Sequence, residues 1–169
     1  KVRMLDLSAR KARKVEREYL ALVRGDVAKA ATVDAPIGRH PVNRTSMAVV
    51  ERGKEARTHV LPVERFGAAT LVRCTLDTGR THQIRVHLAA IGHPLVGDPV
   101  YGARRTATGV PAFARQALHA QRLAFIHPVT HRAISFAISG RSAAFTQRSK
   151  LRPRSPSACR PATKASARK

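Results

Sequence analysis

The run from Thr78 to Gly102, TGRTHQIRVHLAAIGHPLVGDPVYG, constrains the fold more than any other stretch, because it compresses a turn, a helix and a polar loop into one segment. An alternating, strand-like run from Thr70 to Asp77 precedes it, and Gly79 supplies the backbone freedom of a sharp turn. Thr81 suits a helix N-cap, Ile84, Leu88 and Ile91 fall at the i, i+4, i+7 spacing of one buried stripe, and Gly92 with Pro94 ends the helix. His82 and Arg85 share another face. A helix of this kind holds a cation and a hydrogen-bonding ring beside a turn whose free N–H groups suit a phosphate.

The rest of the chain is rich in short strands. Strand-like runs are expected at Tyr19–Val23, Met47–Val50, Thr58–Arg65, Thr70–Leu76, Leu118–Phe125 and Ala133–Ile138, separated by Gly, Pro or polar clusters. Lys1 to Arg17 carries Val2, Leu5, Ala9 and Ala12 at near-helical spacing among many cations, which predicts a basic amphipathic helix; Ala112–Gln116 is a second short helical candidate. Strands are not separated by regular helices as in a parallel βαβ sheet, so the expected class is α+β with a mixed, mainly antiparallel sheet and few helices. At 169 residues the length suits one domain plus a tail. Residues 1–140 read as the domain. Residues 141–169 hold nine cations, no acid and prolines at 153, 156 and 161, and read as a disordered basic extension.

Charge narrows the choice of partner. Thirty-two Lys and Arg against ten Asp and Glu give +22, and no acidic residue follows Asp98. So unequal a balance exceeds what salt-bridged faces need and points to a polyanion, with nucleic acid preferred. No apolar run reaches membrane-spanning length, and no signal-peptide pattern opens the chain. Cys74 and Cys159 make neither a disulfide framework nor a zinc cluster, and His82 and His87 are not an i, i+4 metal pair, so no metal is expected and a cytoplasmic location fits. Aromatic residues are only 4% of the chain, which disfavours a binder built on base stacking.

Five segments in order resemble one family. The Thr78–Gly102 run is similar to the signature of RluA-like RNA pseudouridine synthases, Glu18–Gly25 resembles their tyrosine strand, Ala35–Arg39 the loop that follows, and Ala117–Ala120 with His127-Pro128 the closing strands. The resemblance covers roughly Arg13 to Ser139. It implies a pseudouridine synthase fold acting on ribosomal or transfer RNA, as a monomer and without cofactor. It also implies that Tyr19 packs against the target base and that Arg85 faces a catalytic aspartate. Read without the motif, Tyr19 is a core strand tyrosine and Arg85 a solvated helix cation. Arg80 and His82 are candidates for RNA positioning, and Arg39 and Arg44 read either as RNA-contact cations of a loop or as surface charge. His87 is expected to be structural.

The family's catalytic aspartate lies in an HRLD-type motif upstream of the tyrosine strand, and this sequence has no such motif. Asp6, in Arg3-Met4-Leu5-Asp6, lacks the lead and the follow-on, and Asp98 is expected to belong to a structural turn. Arg85 is therefore expected to lack its carboxylate partner. With Lys1 in first place, the expectation is a fragment, N-terminally truncated and inactive alone. The rival reading is a non-catalytic basic RNA-binding protein.

Overall fold

A computed structural model describes residues 15–102, 110 and 113–138. Six strands form one sheet in the order β2 (Ala31–Asp34), β5 (Arg57–Arg65), β6 (Ala69–Leu76), β1 (Glu16–Arg24), β7 (Leu118–Ile126), β8 (Ala133–Ala137), and every pairing is antiparallel. A separate hairpin joins β3 (Ile37–Arg39) to β4 (Met47–Val49), and one helix, α1 (Gln83–Ala90), follows β6. The class is α+β, as the strand pattern predicted.

The sheet owes its stability to strands that are apolar on both faces at its centre. Along β1, Tyr19, Ala21 and Val23 alternate with Leu20 and Leu22, so successive side chains enter opposite cores. One core joins Ala21, Val23, Val60, Val72 and Cys74 to Ile84 and Leu88 of α1. The other joins Leu22, Phe66, Ala69 and Leu71 to Val96 and Ala117. Cys74 is buried, and that burial pushes its thiol up to about 12, which makes it an inert core group.

Two local irregularities interrupt the ladders. Pro62 lies in β5 beyond the stretch paired with β2, so its missing N–H leaves no ladder gap on that side, and the register slips between Pro62 and Glu64. A second slip between Glu18 and Tyr19, opposite β7, places Tyr19 beside a bulge.

Several expectations are corrected. Glu16 and Arg17 belong to β1 rather than to a helix, and the rest of that predicted helix, Lys1 to Lys14, lies outside the described residues. Ala35–Arg39 is not all loop, because Ile37–Arg39 pairs with Met47–Val49. Residues 113–116 are not helical. Asp6, Cys159 and the segment 141–169 lie outside the described residues.

Candidate functional site

Helix α1 is set in place by its first residue. The Gln83 side chain accepts hydrogen bonds from the Thr78 hydroxyl (2.8 Å) and the Arg80 amide (2.9 Å), and donates to Arg57 O (2.9 Å) and Thr58 Oγ1 (3.0 Å). This buried amide thus ties the turn to β5, and it takes the Arg80 N–H that the sequence had suggested for a phosphate. The cap also differs from expectation. His82, not Thr81, precedes the helix, with a left-handed backbone (φ 56°) and no side-chain cap. Gly79 is not left-handed; the space its Cβ would enter is bounded by the Arg17 guanidinium.

The helix ends as its glycine requires. Gly92 adopts φ +82°, its N–H donates to Ala89 O, and His93 N–H reaches back to Leu88 O, the paired bonds of a Schellman stop. Ile84 and Leu88 are buried as the stripe predicted, but Ile91 falls after the last helical residue and is exposed. His87 is fully buried on α1. Its Nε2 faces Ala35 O at 2.9 Å and must donate, so Nδ1 accepts from the Thr58 hydroxyl, also at 2.9 Å. Burial lowers the His87 pKa against the opposing pull of that carbonyl, keeping the ring neutral. This is the structural role expected of it.

Arg85 points from α1 into a buried ion pair. Its Nε and Nη2 donate to the two oxygens of Asp98 at 2.7 and 2.8 Å, and the side chains are 11% and 0% exposed. Asp98 Oδ1 also accepts the amides of Val100 (2.9 Å) and Tyr101 (3.0 Å), which folds the Asp98–Gly102 turn around the carboxylate. Burial pushes the Asp98 carboxyl up, but the guanidinium and the two amides outweigh it and hold the group below the ordinary carboxylate value. The expectation that Arg85 lacks a partner is corrected: Asp98, thirteen positions along the chain, occupies one edge of its fork. The Arg85 pKa is raised chiefly by that bond.

Tyr101 completes the cluster. Its ring lies 4.8 Å from the Arg85 guanidinium carbon, and its hydroxyl meets His82 Nδ1 at 2.9 Å. The same hydroxyl accepts Met47 N–H at 2.8 Å, so it bridges β4 and the start of α1. Burial first, and the Arg85 charge second, lower the His82 pKa. His82 and Arg85 converge on one tyrosine, although His82 precedes the helix rather than sharing its face.

The loop carrying Asp98 is fixed from the sheet. Arg24 N–H donates to Pro94 O, Val96 N–H to Leu22 O, and Ala117 N–H to Val96 O, so this segment lies along the end of β1. Gly97 then turns with φ +72°, where a Cβ would stand 2.3 Å from Arg115 O.

The remaining candidates are spread around this cluster. Arg80 is half-buried and donates from Nε to Glu55 O at 2.9 Å, which ties it to the approach to β5. Arg39 ends β3 and donates to Arg44 O across the hairpin turn, and both residues are exposed. Tyr19 packs at the margin of the core that receives Ile84, on the helix side of the sheet. Sequence reasoning missed Tyr101 as a site residue. The signal available was the Asp-Pro-Val-Tyr order, since an Asp that accepts amides two and three positions on brings the tyrosine back over itself.

The family model described as RNA pseudouridylate synthase matches residues 3–90. The chain belongs to this family. It is 60% identical over 120 residues to ribosomal large subunit pseudouridine synthase D of Nitrosomonas europaea, covering 69% of this chain and 35% of that protein. With the protein of the same description from Pseudomonas aeruginosa it is 52% identical over 128 residues, covering 70% and 40%. The chain therefore spans about 35–40% of the length of these relatives. Among solved structures, human RNA pseudouridylate synthase domain containing 1 superposes with a TM-score of 0.67 at 30% identity, over 79% of this chain and 57% of that one. Human RNA pseudouridylate synthase domain containing 4 shares the fold, with a TM-score of 0.63 at 20% identity over 86% and 64%.

Proposed function

We propose that this chain is part of the catalytic domain of a synthase that converts uridine to pseudouridine in ribosomal RNA. The reaction breaks the bond between N1 and the ribose, turns the base and joins the ribose to C5, so that a proton leaves C5 and one is gained at N1. It is redox-neutral and needs no cofactor. The observation that carries the reading is the partly buried Arg85. Asp98 holds its Nε/Nη2 edge, and among the described residues no hydrogen bond is made by Nη1, which leaves that edge for a second anion. In the family signature that second anion is the carboxylate of the HRLD-type motif, which this sequence does not contain. Asp98 is a poor substitute, because both its oxygens already accept hydrogen bonds and its side chain is fully buried.

Tyr19 is the proposed platform for the extruded base, and Arg39, Arg44, Arg80 and His82 the groups that position RNA. Residues 1–140 are read as the partial catalytic unit and 141–169 as a basic extension that adds affinity without chemistry. A monomer in the cytoplasm is the accompanying reading; among the described residues no helix is long and apolar enough to cross a membrane. Among them, too, no group of three or more His, Cys, Asp or Glu could hold a metal.

The test joins the chain to the upstream half of a close relative, which restores the aspartate. Arg85→Ala in that protein abolishes single-turnover pseudouridine formation and leaves RNA affinity nearly intact, whereas Arg80→Ala weakens binding and leaves the bound-state rate. Arg85→Lys retains only part of the rate, since an ammonium keeps the charge without the planar fork. If Arg85→Ala weakens binding and spares the bound-state rate, Arg85 is a phosphate clamp and the assignment is wrong.

A further inference from the structure

Tyr101 is the meeting point of three elements. Its hydroxyl takes the first amide of β4, at Met47, and is hydrogen-bonded to His82 Nδ1 at the start of α1, while its ring covers the Arg85 guanidinium. Packing reinforces the junction, since Ile37 of β3, Met47 of β4, Ala56, Val86 of α1 and Tyr101 form one small cluster. The hairpin pairs only with itself as a sheet, and the exposed Arg39 at the end of β3 and Arg44 in the turn lie at its tip. A movement of the hairpin relative to α1 cannot keep both hydroxyl bonds, because the Met47 amide and His82 ring approach the oxygen from different elements. Displacement at the hairpin is thus felt by the ring that covers Arg85.

We propose that Tyr101 is a positioning residue that couples RNA engagement at the β3–β4 hairpin to the orientation of the Arg85–Asp98 pair. The coupling runs through packed groups and two hydrogen bonds rather than through contact of RNA with Arg85. It rests on the reading of the hairpin as an RNA-binding element. RNA seated on Arg39 and Arg44 shifts the hairpin, the Met47 amide carries the Tyr101 hydroxyl with it, and the ring resets the Nη1 edge of Arg85. Asp98 serves as the fixed end, since its turn is tied back to β1 through Val96.

The chain itself permits the test without turnover. In ¹⁵N-arginine-labelled protein, the Arg85 Nε–H signal is identified by its loss in Arg85→Lys and followed as a synthetic RNA stem-loop with a uridine-rich loop is added. The signal shifts on saturation in the unmodified chain. In Tyr101→Phe, which keeps the ring and removes the hydroxyl, the shift is lost at RNA saturation. A double variant, Arg39→Ala with Arg44→Ala, changes only exposed side chains and guards against misfolding of the first; it loses the Arg85 shift at RNA saturation. A shift that persists in both variants shows direct contact of RNA with Arg85 and overturns the coupling. A chain that binds the stem-loop without any Arg85 shift overturns it as well. Failure to bind the stem-loop at all is distinguishable from both, and removes the RNA-binding reading on which the proposal stands.

Discussion

Asp98 has the most demanding surroundings of any acidic residue in the described chain, and its energetics follow from burial. A carboxylate with 0% side-chain exposure is tolerated only because Arg85 and two loop amides supply donors to both oxygens. Asp98→Ala leaves the Arg85 charge buried without this partner and is expected to cost about 3–5 kcal/mol, measured by urea unfolding. Asp98→Asn loses less, because its carbonyl oxygen still accepts the Val100 and Tyr101 amides. A loss below about 1 kcal/mol for Asp98→Ala, the size of an exposed pair, would mean that the pair is solvated in solution. His87 gives the residue-scale pH dependence. Its folded pKa lies below the unfolded value near 6.5, so the unfolded chain takes up the proton first as the pH falls. Its contribution to stability is therefore intact above that value and lost below it, with a slope of at most about 1.4 kcal/mol per pH unit. His87→Gln flattens the melting-temperature profile between neutral and mildly acidic pH if this ring is responsible.

At the scale of elements, two glycines with similar backbones make opposite demands on space. Gly92 (φ +82°) ends α1 with nothing near its Cβ position, so Gly92→Ala carries only the left-handed penalty of about 1–2 kcal/mol. Gly97 (φ +72°) faces Arg115 O at 2.3 Å, so Gly97→Ala must move the loop that carries Asp98 and is expected to cost clearly more. Paired thermal melts of the two variants check the order, and equal losses contradict the packing. The elements themselves were unevenly legible in the sequence. β5, β6 and β7 were recovered within one residue because each has a run of apolar or β-branched residues between breakers, whereas β1 begins three residues before the expected Tyr19. β2 was missed because Ala31–Asp34 buries only Val33, and β3 because Ile37–Arg39 is three residues long with a central Gly. The helix was foreseen, but its start was displaced from Thr81. The reason is a long-range one: Gln83 reaches back to Arg57 and Thr58 on β5, and local capping rules do not register such a contact. Arg85 and His82 were readable from the signature run. Their convergence on Tyr101, and the Asp98 partner, depend on how the loop after α1 is stitched to β1.

On the scale of the whole molecule, charge and the short span of the chain against its relatives dominate. A chain of +22 has a counterion-release term in any RNA complex, with a slope of log K against log salt of about 0.7 for each phosphate contacted on a single strand. Deleting Arg141–Lys169 is expected to flatten that slope without abolishing binding, as filter binding over a salt series would show; an unchanged slope means that these cations do not touch RNA. The chain is proposed to supply the arginine side of a pseudouridine-forming site, with the carboxylate side coming from an HRLD-type segment. The most direct measurement is mass-spectrometric detection of pseudouridine in ribosomal RNA treated either with this chain or with the chain joined to the upstream half of a close relative. Pseudouridine is expected with the joined protein and not with the chain alone. Pseudouridine produced by the 169-residue chain on its own would contradict the claim and reopen Asp6 and Asp98 as catalytic groups.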